Sequence, residues 1–158
     1  MVQLQEISYI QPGDDKPAKL LAILHNEDIP SLPSEIPTLP PALLPLPYEL
    51  SESPGKGVGL FATRSIQMGE ILLFERPLLI YPVQFPVHAK LGLGGTADLW
   101  LSRFLPEDRE AFLSLRQHRE DIPGFWGILY TNGLEITLKG TSNDLSGIFP
   151  VASRINHR

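Results

Sequence analysis

The spacing of hydrophobic and polar positions divides the chain into strand-like and helix-like parts. Short runs that alternate, or that are continuously apolar, are separated by clusters of Gly and Pro in most of the chain. Runs of this length, rich in Val, Ile, Leu and Phe, predict β-strands. The predicted strands cover residues 4–10, 20–24, 57–63, 71–74, 78–81 and 134–138.

A helical insert is predicted at about residues 96–132. Trp100 and Phe104 recur at the spacing of one helix face, and Pro106 followed by acidic residues suits the first turn of a second helix. Residues 125–132 predict a short third helix before Gly133. The chain is therefore expected to have an α+β fold that is mainly β.

Proline defines the organisation of the first third of the chain. Residues 30–47 contain seven prolines in 18 residues, and each removes a backbone donor and disfavours helix before it. We expect residues 1–47 to be an N-terminal arm and Pro-rich linker, followed by one domain at residues 48–158. The spacings within the linker also fit polyproline recognition, so a polyproline-binding partner is an alternative role for it.

Composition and charge exclude several classes of function. The chain has no Cys, which excludes disulfides, thiolate zinc sites and a cysteine nucleophile, and its four His lack the spacing of a metal site. The net charge is −5 and Lys and Arg are not clustered, so no nucleic-acid partner is expected. No apolar stretch is long enough for a membrane span and no secretory signal is visible, which predicts an intracellular protein of the nucleus or cytoplasm.

The glycine-rich segment GKGVG at residues 55–59 precedes a predicted strand. It completes neither the dinucleotide-binding pattern, which opens a helix, nor the phosphate loop, which needs GK followed by Ser or Thr. Glycines at this spacing let backbone groups approach a ligand closely. An ordinary hairpin turn is the alternative.

Two segments and their order resemble the SET domain family of S-adenosylmethionine-dependent protein-lysine methyltransferases. GKGVGLFATRSIQMGEILLFERPLL is similar to the opening of these domains, and SGIFPVASRINH is similar to the approach to their Asn-His signature. Between them, TNG resembles a segment of the branch that includes the MYND-containing and fungal SET proteins. The resemblance spans residues 48–157 and implies a SET-like fold of small antiparallel sheets with a helical insert.

The resemblance also implies a site for S-adenosyl-L-methionine and a lysine-bearing protein or peptide substrate, with histones among the candidates. The glycine-rich turn would line the methionine end of the cofactor through backbone groups. Asn156 would offer its side-chain amide there, and His157 would lie near the adenine; a turn or cap role is the alternative for each Asn. The implied cofactor-binding residues are Lys56, Gly57, Val58, Gly59, Asn132, Ser153, Asn156 and His157.

The family pattern is incomplete at the C-terminus. Arg158 stands where the family usually has Ser, and the downstream segment that carries the family's catalytic tyrosine does not follow. We therefore expect a partial SET domain that is inactive as this chain, and no catalytic residue or metal site is assigned. Two rivals are a catalytically dead remnant that binds a protein through its Pro-rich arm or an exposed sheet edge, and a small structural domain in which GKGVG is only a turn.

Overall fold

The computed structural model describes residues 2–9, 18–32, 39–40, 44–84, 94–118, 121–122 and 124–155. These residues form an α+β fold with two sheets and three short helices. The strands are β1 (Val2–Tyr9), β2 (Ala18–His25), β3 (Tyr48–Ser53), β4 (Gly57–Ala62), β5 (Leu79–Pro82), β6 (Leu134–Ile136) and β7 (Leu145–Ile148). The helices are α1 (Gly94–Leu101), α2 (Pro106–Leu113) and α3 (Phe125–Asn132), with 3₁₀ turns at Ile29–Ser31 and Ala152–Arg154.

The larger sheet has five strands in the order β1-β2-β5-β7-β6. Its neighbours pair antiparallel except β2 and β5, which are parallel, with Leu21 opposite Leu79. Three of the four strand pairs of this sheet are therefore antiparallel, as expected of a mainly antiparallel sheet, and the β2–β5 pair is the exception. Parallel neighbours need a long connection, and residues 26–78 provide it, including the separate β3–β4 hairpin.

Strand β2 is buried on both faces, which explains its continuous apolar run. Leu21 and Ile23 pack in the main core, and Leu20 and Leu24 pack in a second cluster on the other face of the sheet. Residues 18–25 thus form an interior strand of the sheet, between β1 and β5, whereas the sequence pattern placed them in an N-terminal arm. The pattern did not show that this apolar run pairs with β5, which follows the Pro-rich segment in the chain.

The helices cover the main core with aromatic side chains. Phe112 of α2 is fully buried between Phe104 and Phe125, with ring centroids 5.3 and 5.1 Å away. Trp100 contacts both Phe125 and Trp126. Helix α3 has the bounds predicted from its pattern, and it ends where Gly133 begins the approach to β6. Among the described residues, no helix is both long and apolar enough to cross a membrane.

The structure differs from the predicted strands at residues 71–74 and at β3 and β7, neither of which was predicted. Residues 71–74 were expected to form a strand, but they are irregular, and Ile71 and Phe74 are 56% and 41% exposed. Strand β3, in contrast, was not predicted. Its side chains are exposed or half-buried, so its sequence lacks the apolar alternation that marks a strand with one buried face.

Candidate functional site

An open cleft of about 800 Å³ lies where four parts of the chain meet. Its walls come from the turn of the β3–β4 hairpin, the segment after α2, the end of α3 with the start of β6, and the 3₁₀ turn Ala152–Arg154. Five of the sequence-predicted site residues line it. They are Lys56, Gly57, Val58, Asn132 and Ser153.

The hairpin turn presents its backbone to the cleft. Gly55 and Gly57 have φ angles of +74° and +77°, a region that favours glycine, and the Lys56 N–H donates to the Ser53 carbonyl at 2.8 Å. A Cβ atom at Gly57 would lie 3.7 Å from Cδ of Arg116. The main chain of this turn is therefore directly apposed to the segment after α2.

Asn132 and Ser153 join the walls of the cleft to one another. The Nδ2 atom of buried Asn132 donates to the carbonyls of Arg116 at 2.7 Å and Ile128 at 2.9 Å. The Ser153 hydroxyl donates to the Asn132 carbonyl at 2.9 Å and accepts from the Phe149 N–H at 3.1 Å. Both N–H groups of the Asn132 amide are therefore engaged within the protein and are not free for a ligand.

Glu75 stabilises the 3₁₀ turn Ala152–Arg154 through hydrogen bonds to its backbone. Its carboxylate accepts hydrogen bonds from the Val151 N–H at 2.7 Å and the Ala152 N–H at 2.8 Å. Burial raises the pKa of Glu75, although these two N–H groups and the charge of Arg154 act in the opposite direction. The partly buried carboxylate thus holds the turn whose next residues, Ser153 and Arg154, line the cleft.

The remaining predicted residues lie elsewhere. Gly59 is buried within β4, where it pairs with Ser51, and it does not line the cleft. Asn156 and His157 lie outside the described residues; their neighbour Ile155 is the last described residue and lines the cleft.

Sequence reasoning missed three charged or ionisable residues of the cleft. Arg116, His118 and Arg154 line it, and Arg154 donates from Nη2 to the Ser114 hydroxyl at 2.7 Å. No spacing rule points to them, because two come from the segment after α2 and one from a turn near the C-terminus. Only the tertiary fold brings them together.

Tyr81 has a structural role next to the cleft. It is 2% exposed, its hydroxyl donates to the Leu129 carbonyl at 2.7 Å, and burial raises its pKa. A Cβ atom at Gly133 would collide with this hydroxyl. Tyr81 therefore fixes the end of α3 and the start of β6 by a close approach that only glycine permits.

Searches with models of known protein families, among curated proteins and among solved structures find no match to this chain.

Proposed function

We propose that the cleft is the cofactor site of a SET-type protein-lysine N-methyltransferase and that it binds S-adenosyl-L-methionine. One observation carries the proposal: residues 56–58 and 152–155, far apart in the chain, line the same cleft together with Asn132. These segments belong to or adjoin the two motifs through which the chain resembles the SET family. Binding of one cofactor by both motifs would explain why both line the same cleft.

The cleft suits a cofactor of this size and polarity. Its volume of about 800 Å³ lies within the range of roughly 300–1,000 Å³ that small-molecule sites occupy. Gly57 has no side chain that would cover the main-chain groups of the hairpin turn, and Asn132 lines the same cleft. We assign the methionine end of the cofactor to the hairpin turn, as the resemblance implies.

The chain's own residues position the ligand. When bound, the cofactor supplies the electrophilic methyl group. Glu75, Asn132 and Ser153 hold the walls of the cleft in one arrangement before a ligand enters, which reduces the entropy lost on binding. The proposed acceptor is a lysine side chain of a protein or peptide, and the proposed compartment is the nucleus or cytoplasm.

Replacing Gly57 with Val tests the assignment of the hairpin turn. We expect Gly57→Val to weaken binding of S-adenosyl-L-methionine by at least about tenfold, because a branched side chain covers the backbone groups that face the ligand and strains the positive φ. Isothermal titration calorimetry measures the affinity.

Gly69→Val is the matched control. Gly69 has a φ of +86° in a turn away from the cleft, so this variant carries similar backbone strain without touching the site. It is expected to bind like the original chain. Equal affinity of the Gly57 variant and the original chain would remove the site assignment, and failure of the original chain to bind would remove the proposal.

A protein-binding role is the second candidate, and the hairpin favours it. Strands β3 and β4 form a separate two-stranded sheet within the described residues, and Leu50, Val58 and Phe61 on it are each at least 40% exposed. A partner segment can add to such a sheet edge as a further strand. The cofactor titration separates the two candidates, because a remnant that only binds proteins has no affinity for S-adenosyl-L-methionine.

A further inference from the structure

The cleft carries a charge opposite to that of the chain. The net charge of the protein is −5, yet Lys56, Arg116 and Arg154 all line the cleft, together with His118. Among the lining residues that the structure describes, none is Asp or Glu. Three of the chain's 13 Lys and Arg residues therefore line one cleft whose described lining contains no carboxylate.

Hydrogen bonds bring these side chains to adjoining walls. Arg116 reaches the hairpin turn, where Nη2 donates to the Gly55 carbonyl at 3.3 Å, next to Lys56. Arg154 reaches from the 3₁₀ turn to Ser114, two residues before Arg116, with Nη2 to Oγ at 2.7 Å. Hydrogen bonds thus hold the two guanidinium groups against neighbouring segments of the cleft, and Lys56 lines it from the hairpin turn.

Their charge is only weakly compensated. Lys19 and Arg103 pair with Glu6, and Arg64 pairs with Glu70, whereas Lys56 and Arg116 form no ion pair within the described part of the chain. Glu75 acts on Arg154 electrostatically, but its carboxylate is bound to the N–H groups of the 3₁₀ turn. Lys56 and Arg116 are also exposed, so both can reach a ligand.

We propose that Lys56, Arg116 and Arg154 form an oxyanion-binding site for a small-molecule ligand that carries a phosphate or carboxylate group. Guanidinium groups present paired donors that match the geometry of both anions, and hydrogen bonds between charged partners are the stronger ones. A concave site with several positive charges also raises the local concentration of anions. The inference stands on the charge of the cleft and does not rest on the proposed methyl transfer.

Calorimetric titration with pyrophosphate and with malonate, both at low ionic strength, tests this site. We expect at least one probe to bind the whole chain and Arg116→Gln to weaken that binding about tenfold, the loss of one charge-assisted hydrogen bond. Stronger binding of pyrophosphate identifies a phosphate ligand, and stronger binding of malonate identifies a carboxylate. Raising the ionic strength to about 0.15 M should weaken either interaction, since exposed charges are screened over about 8 Å there.

Two further variants keep the result interpretable. Arg109→Gln removes an exposed arginine of α2 that does not line the cleft, and it should bind the probe like the original chain. Lys56→Gln changes an exposed side chain and should weaken binding even if Arg116→Gln proves unstable. No binding of either probe, or binding that all three variants leave unchanged, would overturn the inference.

The outcome is distinguishable from that of the proposed function. If the chain binds a probe through Arg116 but does not bind S-adenosyl-L-methionine, the oxyanion site stands and the methyltransferase proposal falls. If S-adenosyl-L-methionine binds while neither probe binds, the oxyanion site falls and the methyltransferase proposal stands.

Discussion

Replacement of Phe112 with Ala is expected to lower the free energy of unfolding by about 3–5 kcal/mol, the usual cost of truncating a fully buried aromatic side chain. Phe112 is 0% exposed and lies between the rings of Phe104 and Phe125. The variant would leave a cavity at the point where α2 contacts α3 and the core. Since Arg116 lies three residues after the end of α2, we expect this loss also to loosen one wall of the cleft.

Denaturant unfolding monitored by circular dichroism measures the change in free energy. Leu113→Ala is the matched control, because Leu113 is the next residue on α2 and is 47% exposed. We expect it to cost less than about 1 kcal/mol. A Phe112 variant as stable as the Leu113 variant would contradict the packing of α2 described above.

Asp28→Ala is expected to lower the free energy of unfolding by about 2–3 kcal/mol, because it removes a buried carboxylate that accepts two hydrogen bonds. Asp28 is 0% exposed, and its two carboxylate oxygens accept from the Ser142 N–H at 2.7 Å and from Asn143 Nδ2 at 2.6 Å. The Ser31 hydroxyl donates to the Gly140 carbonyl at 2.6 Å beside this contact. These three hydrogen bonds connect the segment after β2 to the turn before β7.

Thermal unfolding compares Asp28→Ala with Glu27→Ala, whose side chain is exposed one residue earlier. The Glu27 variant should unfold at nearly the original temperature, and the Asp28 variant should unfold several degrees lower, since about 1 kcal/mol corresponds to roughly 2–4 °C in a chain of this size. Equal unfolding temperatures would mean that residues 26–32 contribute little to the stability of the fold.

The sequence predicts well those elements that a local pattern of apolar residues and glycines identifies. Helix α3 carries a run of large apolar residues that ends at Gly133, and β4 follows a glycine-rich turn, so both were found within a residue of their bounds. The apolar run of β2 was also found, but its role was not. Whether such a run lies in an arm or inside a sheet depends on strand β5, which follows far along the chain.

The elements that were missed are determined by pairing with another strand and not by their own residue pattern. Strand β3 is polar and exposed, and it exists because β4 pairs with it; residues 71–74 are apolar but pair with no described strand. The residues of the candidate site also differ in whether a local pattern identifies them. The glycine-rich turn could be found from its motif, whereas Arg116, Arg154 and the bracing role of Glu75 follow from contacts between segments that no local pattern connects.

An NMR titration of the backbone amides with S-adenosyl-L-methionine measures most directly whether the cleft is the cofactor site. The proposal predicts saturable shifts of the Gly57, Val58 and Ser153 resonances, with those of Gly69 and Lys139, which lie outside the cleft, unchanged. Absence of any shift at saturating cofactor, or shifts confined to residues outside the cleft, would contradict it.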